Sequence, residues 1–146
     1  MTRLIQILLL VIINTLSVQQ TAAPSILGKW KTIDDETNEP KSIVEITQRS
    51  GKIYGKIIQL FRLPDEDQDP VCEECPADDI RYNKKVLGME IIQNIEPDGT
   101  GFSGGTILDP EVGKIYRCRL WIEGDKLKVR GYWGPFFRTQ TWLKPD

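Results

Sequence analysis

The sequence YRCRLWIEGDKLKVRGYW, residues 116–133, alternates two kinds of side chain on both sides of one turn. Before the turn at Gly124-Asp125, one face carries Tyr116, Cys118, Leu120 and Ile122, and the other carries Arg117, Arg119, Trp121 and Glu123. After it, Leu127, Val129, Gly131 and Trp133 alternate with Lys128, Arg130 and Tyr132. A period of two is that of a β-strand with one buried face. The stretch therefore predicts a β-hairpin packed on a core.

The same rhythm extends in both directions from this hairpin. It predicts eight strands, over residues 26–33, 42–49, 52–61, 86–95, 100–108, 116–123, 127–133 and 136–143. In the fourth, Leu87, Met89, Ile91 and Ile95 fall in alternate register, although helical spacing fits that segment nearly as well. Short connections favour an antiparallel meander, because parallel pairing needs long crossovers. We expect an all-β, up-and-down barrel whose interior is filled or holds one small ligand, with a two-sheet sandwich as the alternative.

Residues 1–23 are predicted to be a cleaved secretory signal peptide. The chain starts Met1-Thr2-Arg3, is apolar from Leu4 to Ile13 except at Gln6, and reaches small residues at Thr21-Ala22-Ala23. This is the layout of a signal peptide, and the run is shorter than the roughly 20 residues of a membrane span. We expect an exported protein, periplasmic or secreted, that does not span the membrane. Its single domain would cover residues 24–146.

The charge balance argues against a nucleic-acid partner. Residues 24–146 carry 18 Lys and Arg residues against 21 Asp and Glu residues, a net charge of −3. A nucleic-acid binder is expected to be strongly basic on one face.

The chain contains no histidine, which removes the commonest general base and every triad built on one. Gly101-Phe102-Ser103-Gly104-Gly105 matches the G-x-S-x-G pattern of a nucleophile elbow. An elbow needs a strand-to-helix turn and a histidine partner, so we interpret this stretch as a glycine-rich strand. An enzyme would have to pair carboxylates such as Glu45, Glu90 or Asp109. No spacing pairs them, and we expect neither catalysis nor a cofactor.

Cys72 and Cys75 are predicted to form a disulfide, the default for two nearby cysteines of an exported protein. A redox role is disfavoured, because the flanking Glu73 and Glu74 destabilise a thiolate. A zinc site is disfavoured too, since three cysteines without histidine do not make the usual four ligands. Cys118 lies on the face with Leu120 and is interpreted as a core residue.

Residues 64–79 interrupt the strand pattern with an acidic loop. Its eight carboxylates are Asp65, Glu66, Asp67, Asp69, Glu73, Glu74, Asp78 and Asp79. The spacing of Asp65, Asp67 and Asp69 leaves open a weak calcium site, since calcium prefers oxygen ligands. Pro70 stands where an EF-hand loop needs glycine, so a solvated loop without a metal is the main interpretation.

Several sequence motifs together resemble the bacterial exported family catalogued as domain of unknown function 2147. They are Gly28-Lys29-Trp30, Ile53-Tyr54-Gly55-Lys56-Ile57, Cys72-x-x-Cys75-Pro76, Gly104 to Pro110 running into Gly113 to Cys118, Val129-Arg130-Gly131-Tyr132, and Arg138 to Trp142. The resemblance implies a lipocalin- or calycin-like barrel and no established activity. Gly28-x-Trp30 also resembles the opening motif of lipocalins, which often pack a basic residue of the last strand over the tryptophan. Arg138 is the candidate for that residue.

The leading hypothesis is a barrel that binds a small apolar or amphipathic, lipid-like molecule. Six residues are expected to line the ligand site: Trp30, Phe102, Tyr116, Leu120, Val129 and Trp133. The alternative is an envelope-associated interaction protein whose barrel is filled.

Overall fold

The computed structural model describes residues 25–146, which form eight antiparallel strands. In chain order they are β1 (Gly28–Ile33), β2 (Pro40–Arg49), β3 (Lys52–Leu60), β4 (Glu90–Asp98), β5 (Gly101–Asp109), β6 (Lys114–Glu123), β7 (Lys126–Trp133) and β8 (Phe136–Trp142). The signal peptide predicted for residues 1–23 lies outside the described residues.

Each strand pairs with its neighbours in the chain, so one sheet has the order β1 to β8. The sheet curls until its first and last strands meet. There, the Lys31 amide donates to the Leu143 carbonyl at 2.7 Å, and the Leu143 amide donates to the Lys31 carbonyl at 3.0 Å. The result is a nearly closed barrel, which confirms the predicted meander and leaves few unpaired strand edges.

All eight predicted strands are present, and their ends lie within two residues of the predicted ones except in β4, which covers Glu90–Asp98 and not residues 86–95. Residues 86–89 form a turn that contains Gly88 at φ +85°. The alternate register predicted for this segment is also wrong, because the neighbouring Ile91 and Ile92 are both buried. Asn94, at φ +58°, adds an irregularity that shifts the next inward position to Ile95.

One end of the barrel, which we call the closed end, is filled with large apolar side chains. Its inner face holds Trp30, Ile46, Ile53, Ile95, Leu120, Leu127 and Trp142, none more than 1% exposed. The segment before β1 seals this end, because the Trp30 indole N–H donates to the Ile26 carbonyl at 2.7 Å and Ile26 is itself buried. The opposite end, which we call the open end, carries the β1–β2, β3–β4, β5–β6 and β7–β8 connections.

The β3–β4 connection, residues 61–89, packs on the outside of the barrel, and we call it the cover segment. Ile92 pairs with Ile107 on the inner face, so the adjacent Ile91 and Leu108 point outward, yet both are buried. They belong to one apolar cluster with Cys72, Cys75, Val86 and Met89 of the cover segment. The acidic side chains of residues 65–78 remain exposed, while the cysteines between them extend the core.

The cover segment meets the β5–β6 turn with almost no space between the two backbones. The Cys72 Sγ lies 3.5 Å from the Pro110 carbonyl oxygen. A Cβ atom placed on Gly113 would come within 1.6 Å of the Glu74 carbonyl oxygen. Only glycine fits there, and its φ of +68° is also one that other residues rarely adopt.

Candidate functional site: the open end of the barrel

The inner face of β5 to β8 changes from fully buried to exposed along the barrel axis. Residues directly opposite one another on antiparallel strands share a face, so the pairing defines four rungs. Starting at the closed end, the first rung is Ile122, Leu127 and Trp142, and the second is Phe102, Leu120, Val129 and Gln140. The third rung is Gly105, Cys118, Gly131 and Arg138. The fourth and outermost consists of the pairs Ile107–Tyr116 and Trp133–Phe136. Leu127 at the first rung is 0% exposed, whereas Trp133 and Phe136 at the last are 64% and 68% exposed.

Tyr116 forms the wall of the open end just above the buried core. It is half-buried, and its ring lies close to Gly131, where a Cβ atom would be 3.5 Å from the Tyr116 Cγ. Cys118 lies one rung deeper and is 3% exposed. Burial raises the pKa of the Cys118 thiol to about 12, so this thiol stays protonated at neutral pH.

Polar groups inside the barrel satisfy one another. Thr32 and Ser42 face each other on β1 and β2, with their hydroxyl oxygens 2.8 Å apart. The Trp142 indole N–H donates to the Gln140 side-chain oxygen at 2.9 Å. Within residues 25–146, no buried side-chain nitrogen or oxygen lacks a hydrogen-bond partner. The deep interior therefore offers apolar surface and no free polar group.

Ion pairs hold the rim of the open end. Lys41 on β2 contacts Glu111 of the β5–β6 turn at 2.6 Å and Asp34 of the β1–β2 connection at 3.3 Å. Since β2 and the β5–β6 turn are not neighbours in the sheet, this contact joins separate parts of the rim. Backbone N–H groups of Thr37 and Glu36 hold the pKa of Asp34 at about 2, which keeps this carboxylate ionised.

The six residues predicted to line the ligand site divide along this gradient. Trp30, Leu120 and Val129 are buried in the packed core, which places them below any surface that a ligand reaches at the open end. Phe102 and Tyr116 are half-buried on the inner face. Trp133 has the predicted register but projects beyond the rim. Ile107, Gln140 and Arg138 were not predicted from the sequence to line the site. Their positions in strands with a period of two could have shown that they face inward.

The cation that covers Trp30 is Lys144, and the prediction of Arg138 is wrong. The Lys144 Nζ lies 3.9 Å from the centre of the Trp30 ring. Arg138 instead donates to Asp35 at 2.7 Å on the rim. The pairing of Lys31 with Leu143 explains the difference, because it brings the residue after Leu143 beside Trp30 and leaves Arg138 near the opposite end.

The predicted disulfide is confirmed, since Cys72 and Cys75 are bonded and both are buried. The remaining cysteine, Cys118, is a buried free thiol, as interpreted from its register.

The thiols give a direct test of this arrangement. The native oxidised protein should show no thiol that reacts readily with iodoacetamide, because two are bonded and the third is buried and protonated. Denaturant alone should expose one thiol, and denaturant with reductant should expose three. Mass spectrometry of the alkylated protein counts them. Three labelled cysteines in denaturant without reductant, in place of one, would contradict the disulfide.

The carboxylates of the acidic loop do not form a cluster that could bind a metal ion. Asp69 pairs with Lys85, and the Asp67 side chain accepts the Asp69 backbone N–H at 3.0 Å. Asp79 is bound by both Arg81 side-chain nitrogens that face it, and this contact lowers the pKa of Asp79. Across the described chain, no three acidic or cysteine side chains converge as metal ligands.

The residues considered for catalysis lie apart. Ser103 is inside β5, with no strand-to-helix turn, and donates to Asp98 at 2.7 Å. Glu90 is paired with Arg49 at 2.8 Å, and Asp109 accepts the Glu111 backbone N–H at 3.0 Å. Glu45 lies on β2. Glu45 and Glu90 flank Lys56 from the two neighbouring strands, and Asp109 lies at the end of β5.

Two concavities of residues 25–146, each about 310 Å³, are shallow and lie on the outer surface. One lies between Arg119, Trp121 and Arg130, and the other lies against the cover segment near Arg81 and Leu87. Nor does the described part of the chain contain a helix of the length and apolarity that crossing a membrane requires.

Comparisons with known proteins agree with this geometry. The model of the family described as uncharacterized proteins conserved in bacteria, DUF2147, matches residues 28–144. Among solved structures, protein HP1028 from Helicobacter pylori, described as belonging to the lipocalin family, superposes with a TM-score of 0.69. The two chains are 20% identical, and the match covers 85% of each. A search of curated proteins finds no match. The predicted lipocalin-like fold is thereby confirmed.

Proposed function

This chain belongs to the bacterial family DUF2147, and we propose that it is an exported, non-catalytic protein that binds a small apolar or amphipathic molecule at the open end of its barrel. The observation that carries the proposal is the gradient along the inner face. The side chains of the closed end are almost completely buried, while the inward-facing side chains from Tyr116 outward are partly exposed. A barrel of eight strands is wide enough either to be just filled by side chains or to hold one small ligand.

The lining determines the chemistry of the proposed ligand. Phe102 supplies aromatic surface on the second rung, and Ile107 and Tyr116 supply apolar and aromatic surface on the outermost rung. Gln140 and Arg138 lie on the same face, and the Arg138 guanidinium reaches the rim, where it donates to Asp35. A molecule with an apolar body and a polar or negatively charged head matches this order, the body directed inward and the head at the rim.

The test compares two tyrosines on opposite faces of the same hairpin. Tyr116→Ala removes the inner wall, and Tyr132→Ala removes an outward-facing ring from β7. Residues 24–146, which contain the complete barrel, are titrated with a fluorescent fatty-acid analogue. Tyr116→Ala should weaken the Kd roughly tenfold, which corresponds to about 1.4 kcal/mol. Tyr132→Ala should stay within about twofold of the unsubstituted protein.

Two results would remove the proposal: no saturable uptake of the probe by the unsubstituted protein, or equal losses in both variants. Circular dichroism of each variant separates a lost wall from a lost fold.

The exposed aromatic side chains of the β7–β8 turn favour a second function. In it, the barrel is filled and the protein binds a partner through its outer surface. The same titration distinguishes the two functions, because a filled barrel takes up no probe.

A further inference from the structure

The β7–β8 turn is an exposed aromatic tip between two arginines. Residues 131–137, Gly-Tyr-Trp-Gly-Pro-Phe-Phe, carry no charge, and Arg130 and Arg138 stand directly before and after them. Trp133, Phe136 and Phe137 are 64%, 68% and 59% exposed. We call these three residues the aromatic tip. Three large exposed rings at the strand ends on either side of Gly134-Pro135 form an apolar patch that a protein in water does not need for folding.

The rings of the aromatic tip project on both sides of the hairpin. Trp133 and Phe136 are paired and continue the inner face, whereas Phe137 and its partner Tyr132 belong to the outer face. Ring centres are 6.3 Å apart in the first pair and 6.1 Å apart in the second. A platform for stacking sugars or bases presents its rings on one face. Rings on both faces of a projecting tip suit entry into an apolar medium.

The surface behind the aromatic tip is basic. Residues 114–142 contain seven Lys and Arg residues and two Asp and Glu residues, although the whole chain has a net charge of −2. The outward positions of β6 and β7 carry Arg117, Arg119, Lys128 and Arg130. We call these four residues the basic face.

Cations and rings interleave where the basic face meets the aromatic tip. The Arg130 guanidinium lies 4.3 Å from the Phe137 ring centre and 4.9 Å from that of Trp121. The Lys114 Nζ lies 5.0 Å from the Trp133 ring centre. Cations are thereby held at the base of the aromatic tip, at the level where lipid headgroups begin if the rings enter a bilayer.

We propose that the aromatic tip and the basic face dock this protein on an anionic phospholipid bilayer. The three rings enter the interfacial layer, and the lysines and arginines contact lipid phosphates. A bilayer supplies both components that the surface complements, an apolar layer and a negatively charged one. A soluble polyanion supplies only the second. The proposal does not depend on ligand uptake, although it would place the open end of the barrel near the membrane.

Vesicle sedimentation tests the docking. Residues 24–146 are mixed with vesicles of phosphatidylcholine, or of phosphatidylcholine with phosphatidylglycerol. Binding is expected to the mixed vesicles and to fall with added salt. Alanine at Trp133, Phe136 and Phe137 together should weaken the partition coefficient by at least about tenfold. The matched control places alanine at Leu63, Ile80 and Leu87, three exposed apolar residues of the cover segment, and should change binding by less than about twofold.

The contribution of the basic residues and the insertion of the aromatic rings are measured separately. Glutamine at Lys114, Arg117 and Arg119 should reduce the preference for the mixed vesicles, whereas glutamine at Lys29, Lys52 and Lys56, on β1 and β3, should preserve it. Trp30 and Trp142 are buried and Trp121 is half-buried, so a blue shift of tryptophan fluorescence on binding reports first on Trp133 and to a smaller extent on Trp121. Trp133→Phe should keep the binding and lose most of the shift.

Three outcomes overturn the docking proposal: no vesicle binding, equal binding by the aromatic-tip variant when circular dichroism shows it folded, or binding to heparin without binding to vesicles. The last would identify a soluble polyanion as the partner. None of them bears on the fatty-acid titration, so the two proposals fail separately.

Discussion

Replacing Trp30 with alanine is expected to lower the free energy of unfolding by about 3–5 kcal/mol. The side chain is 1% exposed at the closed end of the barrel. Its loss leaves a cavity among residues of several strands, which cannot collapse without breaking the sheet. It also removes the donor to the Ile26 carbonyl and the ring beneath Lys144. Cavity, hydrogen bond and cation contact all act in the same direction.

Urea denaturation followed by circular dichroism measures this loss, and Trp133→Ala is the control. Trp133 is the same residue type on the same sheet but is 64% exposed, so its substitution should cost less than about 1 kcal/mol. If Trp30→Ala is too unstable to purify, Trp30→Phe should still be clearly destabilised. Equal effects at the two tryptophans would show that the closed end is not the packed core of this barrel.

Gly113→Ala should be the next most damaging change, with a loss of about 3 kcal/mol or more. The new methyl group would stand 1.6 Å from the Glu74 carbonyl oxygen and 2.2 Å from its carbon. Both are backbone atoms of a segment fixed by the Cys72–Cys75 disulfide and by hydrogen bonds between Cys72 and residues 83–84. The clash is relieved only if the cover segment leaves the barrel, and that exposes the outward-facing Ile91 and Leu108.

Gly124→Ala separates this clash from backbone strain. Gly124 has φ +64°, close to the +68° of Gly113, but a Cβ atom there would meet nothing within 4 Å. It should therefore lose only the roughly 1–2 kcal/mol of left-handed strain. Trypsin should cut Gly113→Ala at Lys84 or Lys85 faster than it cuts Gly124→Ala. Equal stability and equal cleavage of the two variants would contradict close docking of the cover segment.

The strands could be predicted because each carries its own period of two between turn residues. The β6–β7 hairpin shows this best, since Cys118, Leu120 and Val129 lie inside as their alternation requires. The same rule failed at residues 86–95, where Ile91 and Ile92 are both buried. Alternation identifies a single buried face, and there the cover segment buries the second face as well.

The candidate site could be predicted only in part. Alternation placed Tyr116 on the inner face, but it gave no position along the barrel axis. It therefore could not distinguish Tyr116, at the open end, from Leu120 in the packed core. The net charge of the sequence also did not reveal the basic face behind the aromatic tip, because it sums charges over residues that the fold places on different surfaces.

Local alternation and turn residues, read from the sequence, determined the number of strands, their antiparallel order and the side of the sheet that each residue faces. Only the tertiary structure decided which residues meet across the closure of the barrel and beneath the cover segment. Lys144 covers Trp30 because Lys31 pairs with Leu143, and Gly113 contacts Glu74 although the two are far apart in the chain. Contacts of this kind depend on the curvature and register of the whole sheet. They leave no periodic signal in either segment that takes part.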